Sequence, residues 1–105
     1  MKHGEIIIND KQFGLKIGKH ARDFNLDPGN PMHRGLIRGI IDDIITTPDE
    51  VRLGTWLGQT GEVTFYIKGD DVVITNDAVF VTILKNGITN RKIANARRLS
   101  HDELR

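Results

Sequence analysis

The hydrophobic period of this chain changes once, at Pro48, and that change limits the folds open to it. Before Pro48, Leu36, Ile37, Ile40, Ile41, Ile44 and Ile45 recur at i, i+1, i+4, i+5, i+8 and i+9, the stripe of an amphipathic helix. Asn30 can cap this helix and Pro31 suits its first position, since proline has no amide proton to leave unsatisfied there. Arg34, Arg38 and Asp42 follow one another on a second face, while Gly35 and Gly39 lower helix propensity and leave room for a close neighbour.

After Pro48 the period becomes two. "VRLGTWLG", "EVTFYIKG", "DVVITN" and "VFVTILKNG" are runs rich in β-branched and aromatic residues, separated by short turns of Gly, Asn and Asp. They predict a four-stranded antiparallel meander with one face on the helix and the other wet. Upstream, "GEIIIND" reads as a short strand or an extended arm, and "IGKHARDF" as one short helix that ends at Pro28, Gly29 and Pro31. The expected fold is α+β, with N-terminal helices packed on one face of a twisted four-stranded antiparallel sheet.

A length of 105 residues predicts a single domain over 1–105, with its core at about 13–93 and a basic tail at 89–105. No apolar run nears the roughly 18 residues of a membrane span, and no secretory leader opens the chain, so export would depend on another segment. The absence of cysteine removes disulfides, thiolate metal sites and cysteine nucleophiles. The histidine spacings match no zinc pattern, and no metal or cofactor is expected.

Net charge is only +1, yet Lys85, Arg91, Lys92, Arg97 and Arg98 form a basic stretch without an acid, suited to phosphate or to a solvated tail. Alternation sorts the strands into two faces. Val63, Phe65 and Ile67 oppose Thr64, Tyr66 and Lys68; Leu53, Thr55 and Leu57 oppose Arg52, Gly54 and Trp56; Val81 and Ile83 oppose Phe80, Thr82 and Leu84. If the aliphatic sets meet the helix, the open face gathers Arg52, Trp56, Thr64, Tyr66, Lys68 and Thr82. Cations, hydroxyls and rings together suit RNA.

RNA carries its own nucleophile in the 2′-hydroxyl, so cleavage requires only a proton carrier and cations at the phosphate. His20 is the candidate proton carrier, Lys19 and Lys16 are candidate charges on the phosphate, and Thr82 is a candidate hydroxyl donor. Trp56 or Tyr66 could stack on a base, with Arg52, Lys68 and Lys85 along the strand. DNA lacks the attacking hydroxyl and would be spared. The structural alternatives are a capping or exposed His20, a Thr82 that simply favours strand, and a Trp56 partly in the core.

The ordered set "KHARDFNL" (Lys19 to Leu26), a helix, "GTW" (Gly54–Trp56), "GEVTFY" (Gly61–Tyr66), "VVIT" (Val72–Thr75) and "FVTILK" (Phe80–Lys85) resembles a known family. That family is the C-terminal nuclease domain of colicin D and of related contact-dependent inhibition and other polymorphic toxins. The resemblance covers about residues 19–85. It implies the barnase/EndoU/colicin/RelE fold and metal-independent cleavage of tRNA in the anticodon loop. It equates the family's catalytic Lys-His pair with Lys19 and His20, and its strand hydroxyl, usually serine, with Thr82. Lys16 is offset by one residue from the family's second lysine, and Leu84 stands where an aromatic is expected.

The resemblance further implies export as the last segment of a larger toxin, action in the cytoplasm of a target bacterium, and a cognate immunity protein as partner. Met1 would then be an added start. Two other functions fit the same residues. One is a ribosome-dependent mRNA endonuclease of the RelE type, and the other is a non-enzymatic RNA-binding domain.

Overall fold

Asn30 opens a long helix as its sequence suggests. Its side-chain oxygen accepts from the backbone N–H of Met32 (2.9 Å) and of His33 (3.4 Å), and Pro31 occupies the first turn. The computed structural model describes residues 21–27 and 29–99. Helix α1 spans Pro31–Thr46. It closes where the Thr46 and Thr47 hydroxyls donate to the carbonyls of Asp42 (2.7 Å) and Asp43 (2.8 Å), just before Pro48. Ile37, Ile41, Ile44 and Ile45 are buried, whereas Leu36 is exposed, so the apolar stripe is narrower than its pattern suggested.

Gly35 and Gly39 do not serve close packing: a Cβ added at either would meet no atom within 4 Å. Both are exposed helix-interior glycines. Gly35→Ala and Gly39→Ala are each expected to stabilise the protein by about 1 kcal/mol, raising the melting temperature by roughly 4–8 °C per substitution. Thermal denaturation followed by circular dichroism checks this.

The four predicted strands form as β1 (Glu50–Gly54), β2 (Val63–Lys68), β3 (Asp71–Asn76) and β4 (Val79–Leu84). A fifth, β5 (Arg97–Arg98), pairs antiparallel with β1 through Arg52↔Arg98 and Leu53↔Arg97. Among the described residues the sheet is therefore five-stranded and antiparallel in the order β4-β3-β2-β1-β5, a meander of β1 to β4 with β5 crossing back to the far edge beside β1. The architecture is α+β, with five strands where four were expected. A 3-10 turn at Ala21–Phe24 precedes α1, a second lies at Gly87–Thr89, and a one-turn helix α2 spans Arg91–Ala94. The expected helix around the Lys-His pair is thus a 3-10 turn over the residues described. The Gly4–Asp10 run lies outside them. Among the described residues no helix is long and apolar enough to cross a membrane.

Both faces of the sheet are covered, which overturns the expected half-wet sheet. On one face α1 packs Ile37, Ile41, Ile44 and Ile45 into a cluster with Val51, Tyr66, Val73, Phe80 and Ile83. On the other, Phe65, Ile67, Val72, Ile74 and Val81 form a second cluster with Ile93, and Ile88, Ala96 and Trp56 pack against it. The aliphatic set of β2 therefore faces the C-terminal stretch, and the Tyr66 set faces the helix. Two glycines permit this cover. A Cβ on Gly54 would come within 3.0 Å of the Phe65 ring and 3.1 Å of the Ala96 Cβ, and one on Gly87 within 2.8 Å of the Leu84 Cβ.

The β3–β4 hairpin turns through Asp77 and Ala78, both at positive φ (49° and 66°), the twist that two-residue hairpin loops prefer. Between Ile74 and Thr75 the pairing shifts by one residue, from Thr75↔Phe80 to Ile74↔Thr82. Val81 is the extra residue of this bulge, and it breaks the simple alternation along β4. Phe80 and Ile83 both reach the helix-side core, while Val81 joins the opposite cluster.

Candidate functional site

Lys16, Lys19 and His20 lie outside the described residues. The chain that follows them is firmly held. Ala21 is only 1% exposed and belongs to the helix-side core with Phe80 and Ile83. Three residues on, the Phe24 ring lies under the Lys85 ammonium at 5.0 Å from the ring centroid, a cation–π contact. Lys85 directly follows β4. The structure thus ties the chain just after the Lys-His pair to the end of β4 and brings one predicted cation, Lys85, beside it.

A small depression of about 400 Å³ opens next to this junction, lined by Arg22, Asn25, Leu26, Asp27 and His33. His33 stands in the first turn of α1. Its Nδ1 accepts from the Asp27 backbone N–H at 2.8 Å, which makes the ring a clamp on the loop before α1.

The other predicted residues are dispersed. Thr82 is 7% exposed, and its pairing with Ile74 turns it toward the face opposite α1. It does not share an open surface with the junction at Ala21. Tyr66 is 6% exposed within the helix-side core. Burial, only partly offset by a hydrogen bond with Thr75, raises its phenol above the ordinary 10.0. It cannot present a ring to a base.

Lys68 donates to Asp43 Oδ2 (2.8 Å) and Thr47 Oγ1 (2.7 Å), so it bolts β2 to the C-terminal end of α1. The hydrogen bond from Lys68 holds the Asp43 carboxyl below its usual value.

Arg52 is the largest departure from expectation. It is 4% exposed and engaged at both ends of its guanidinium. Nε and Nη2 form a bidentate pair with the Glu50 carboxylate at 2.8 and 3.0 Å, and Nη1 donates to the Ile93 carbonyl at 2.8 Å. Arg98 Nε reaches the same Glu50 Oε1 at 2.7 Å. Glu50 and Arg52 point to one face because they are two apart in a strand. The cluster therefore fastens α2 and β5 to β1 and is structural.

The hydrogen bond from Arg52 is the largest influence on Glu50, holding its carboxyl below the ordinary 4.5. A depressed folded pKa contributes stability that is complete above the unfolded value and is lost as pH falls through the folded one. Glu50→Gln is expected to flatten the acid limb of the stability profile below about pH 4.5, as read by urea midpoints between pH 3 and 6.

A groove of about 820 Å³ lies at the far end of β1. Trp56 forms one side, held nearly perpendicular (73°) to Phe65 at 6.0 Å between ring centroids and only partly covered. Arg91, Lys92 and Arg97 from α2 and β5 enter it together with Asn90 and Asn95. The basic stretch was legible in the sequence, but its convergence on Trp56 was not, because β5 is only two residues long. No family model, curated protein or solved structure matches the chain.

Proposed function

We propose that the chain is a metal-independent ribonuclease domain of the colicin D type, with the barnase/EndoU/colicin/RelE architecture, that cuts tRNA in the anticodon loop. The observation that carries this reading is the junction after the Lys-His pair. Ala21 is buried against the helix-side core, and Phe24 is capped by Lys85, so the chain from Ala21 to Phe24 is held beside the last residue of the "FVTILK" run. The resemblance of residues 19–85 supplies the chemistry, and the α+β class, an antiparallel sheet with a helix on one face, supports the reading at that coarse level.

In the proposed reaction the ribose 2′-hydroxyl attacks the adjacent phosphorus and the bond to the 5′-oxygen breaks, leaving a 2′,3′-cyclic phosphate and a 5′-hydroxyl. One proton leaves the attacking oxygen and one reaches the departing oxygen, and His20 carries one of these transfers. Lys19, Lys16 and Lys85 offset the charge that grows on the phosphate. Thr82 is not carried into the site, because its strand register turns it to the opposite face.

As a toxin domain, the protein would travel within a larger exported chain, act in the cytoplasm of a target bacterium and be neutralised by an immunity protein. Total tRNA incubated with the purified domain in EDTA should yield fragments ending in 2′,3′-cyclic phosphate. Intact tRNA, with mRNA cleaved only when ribosomes are added, would instead assign the chain to the ribosome-dependent class.

A further inference from the structure

We infer that the groove beside Trp56 is a binding site for a short single strand of RNA, separate from the cleavage site. One base would stack on Trp56, and the flanking phosphates would lie against Arg91, Lys92 and Arg97. The inference does not depend on the nuclease reading, since it holds equally for a protein that only binds RNA.

Three properties of the groove carry it. The first is charge. In a chain with nearly equal numbers of acids and bases, the described residues lining this groove include three cations, of which Arg97 is already engaged in another contact, and no carboxylate. Such a surface complements a polyanion.

The second is the ring. Trp56 is braced by Phe65 from one side and half-open to the groove, and a fixed indole is a stacking platform that accepts any base. Its neighbour Leu57, 80% exposed, extends the apolar side. Asn90 and Asn95 line the same space, with the Asn90 side-chain oxygen already occupied by the Lys92 backbone N–H at 2.9 Å.

The third is rigidity. The cations sit on a segment fastened to β1 by the Arg52–Ile93 and Arg98–Glu50 contacts, so they are presented without a large ordering cost. A duplex keeps its bases stacked inside and offers nothing to Trp56, so the occupant is single-stranded.

The groove belongs to the face covered by the C-terminal stretch, whereas the junction at Ala21 belongs to the face covered by α1. An RNA that reached both would wrap the sheet edge, and the groove would then set which loop is held rather than which bond is cut.

Trp56 is the only tryptophan in the chain, so its fluorescence reports this site alone. The probe is a six-nucleotide RNA with 2′-O-methyl groups throughout, which keeps bases and phosphates but cannot be cleaved. Titration should quench the fluorescence. Anisotropy of the labelled oligonucleotide should show affinity reduced by roughly 5- to 150-fold in Trp56→Ala. The exposed pair Arg91→Ala and Lys92→Ala removes charge without touching the core. It should weaken binding and make the salt slope shallower by about 0.7 for each phosphate that is no longer neutralised.

His20→Ala should bind the probe as the unaltered protein does. Equal quenching by a duplex or by inorganic polyphosphate would overturn the inference, as would unchanged affinity in the Arg91/Lys92 variant. Loss of cleavage in His20→Ala with retained quenching separates the two sites.

Discussion

His20→Ala is expected to slow tRNA cleavage by about 10²–10⁴-fold, the usual contribution of a positioned proton carrier. Imidazole is the side chain whose ordinary pKa, about 6.5, lets it hold or release a proton near neutrality. A second measurement separates chemistry from folding. The described anchor of the segment is Ala21 in the core and Phe24 under Lys85. A variant that melts at the normal temperature but no longer cuts has lost chemistry alone. Cleavage at an unchanged rate would remove His20 from the mechanism and leave the groove beside Trp56 as the functional surface.

Glu50→Leu should be the most destabilising of the charge substitutions. It removes the carboxylate that neutralises Arg52, whose side chain is 5% exposed, and leaves a buried cation without its counter-ion. Breaking such a pair from one side costs about 3 kcal/mol at the lower end of its range, or roughly 12–24 °C in melting temperature for a domain of this size.

Arg52→Met should cost less. Glu50 keeps Arg98 at 2.7 Å, and the Ile93 carbonyl, which loses the guanidinium, keeps the Ala96 backbone N–H at 3.1 Å. The double variant should recover much of the loss, because replacing both members of a buried pair with apolar side chains is often near neutral. A thermodynamic cycle by urea denaturation measures the coupling. If the double variant is no more stable than Glu50→Leu, the guanidinium is not the reason the carboxylate matters.

Helix α1 and four of the five strands could be read from the chain because each announces itself locally. Asn30-Pro31 opens a helix with an isoleucine stripe, and Gly69 and Asp77 fall between alternating β-branched runs. The assignment of faces could not be read the same way. It assumed one wet surface, whereas Val72, Val73, Ile74 and Thr75 are all buried. An unbroken apolar run of this kind belongs to a strand covered on both sides, and "VVIT" already carried that signal.

Residues Arg52 and Lys68 looked like free cations because most of their partners are remote in the chain. Lys68 meets Asp43 25 residues earlier, and Arg52 meets the Ile93 carbonyl 41 residues later. Only Glu50, two positions away on the same strand face, was within reach of a sequence argument. The displacement of Thr82 follows from a bulge, which no alternation count anticipates. The groove was half-visible: the basic stretch from Lys85 to Arg98 was evident, but β5, which helps aim it at Trp56, is two arginines with no strand-like pattern.

The cover over Phe65 has a consequence for synthesis. Ile88, Ile93 and Ala96 shield that face, and they are among the last described residues to leave the ribosome. Until they emerge, a nascent chain has the Phe65–Ile74 surface bare and no hold on the Arg52 guanidinium. In vectorial folding the second face of the sheet is therefore covered last, and the groove beside Trp56 is completed with it.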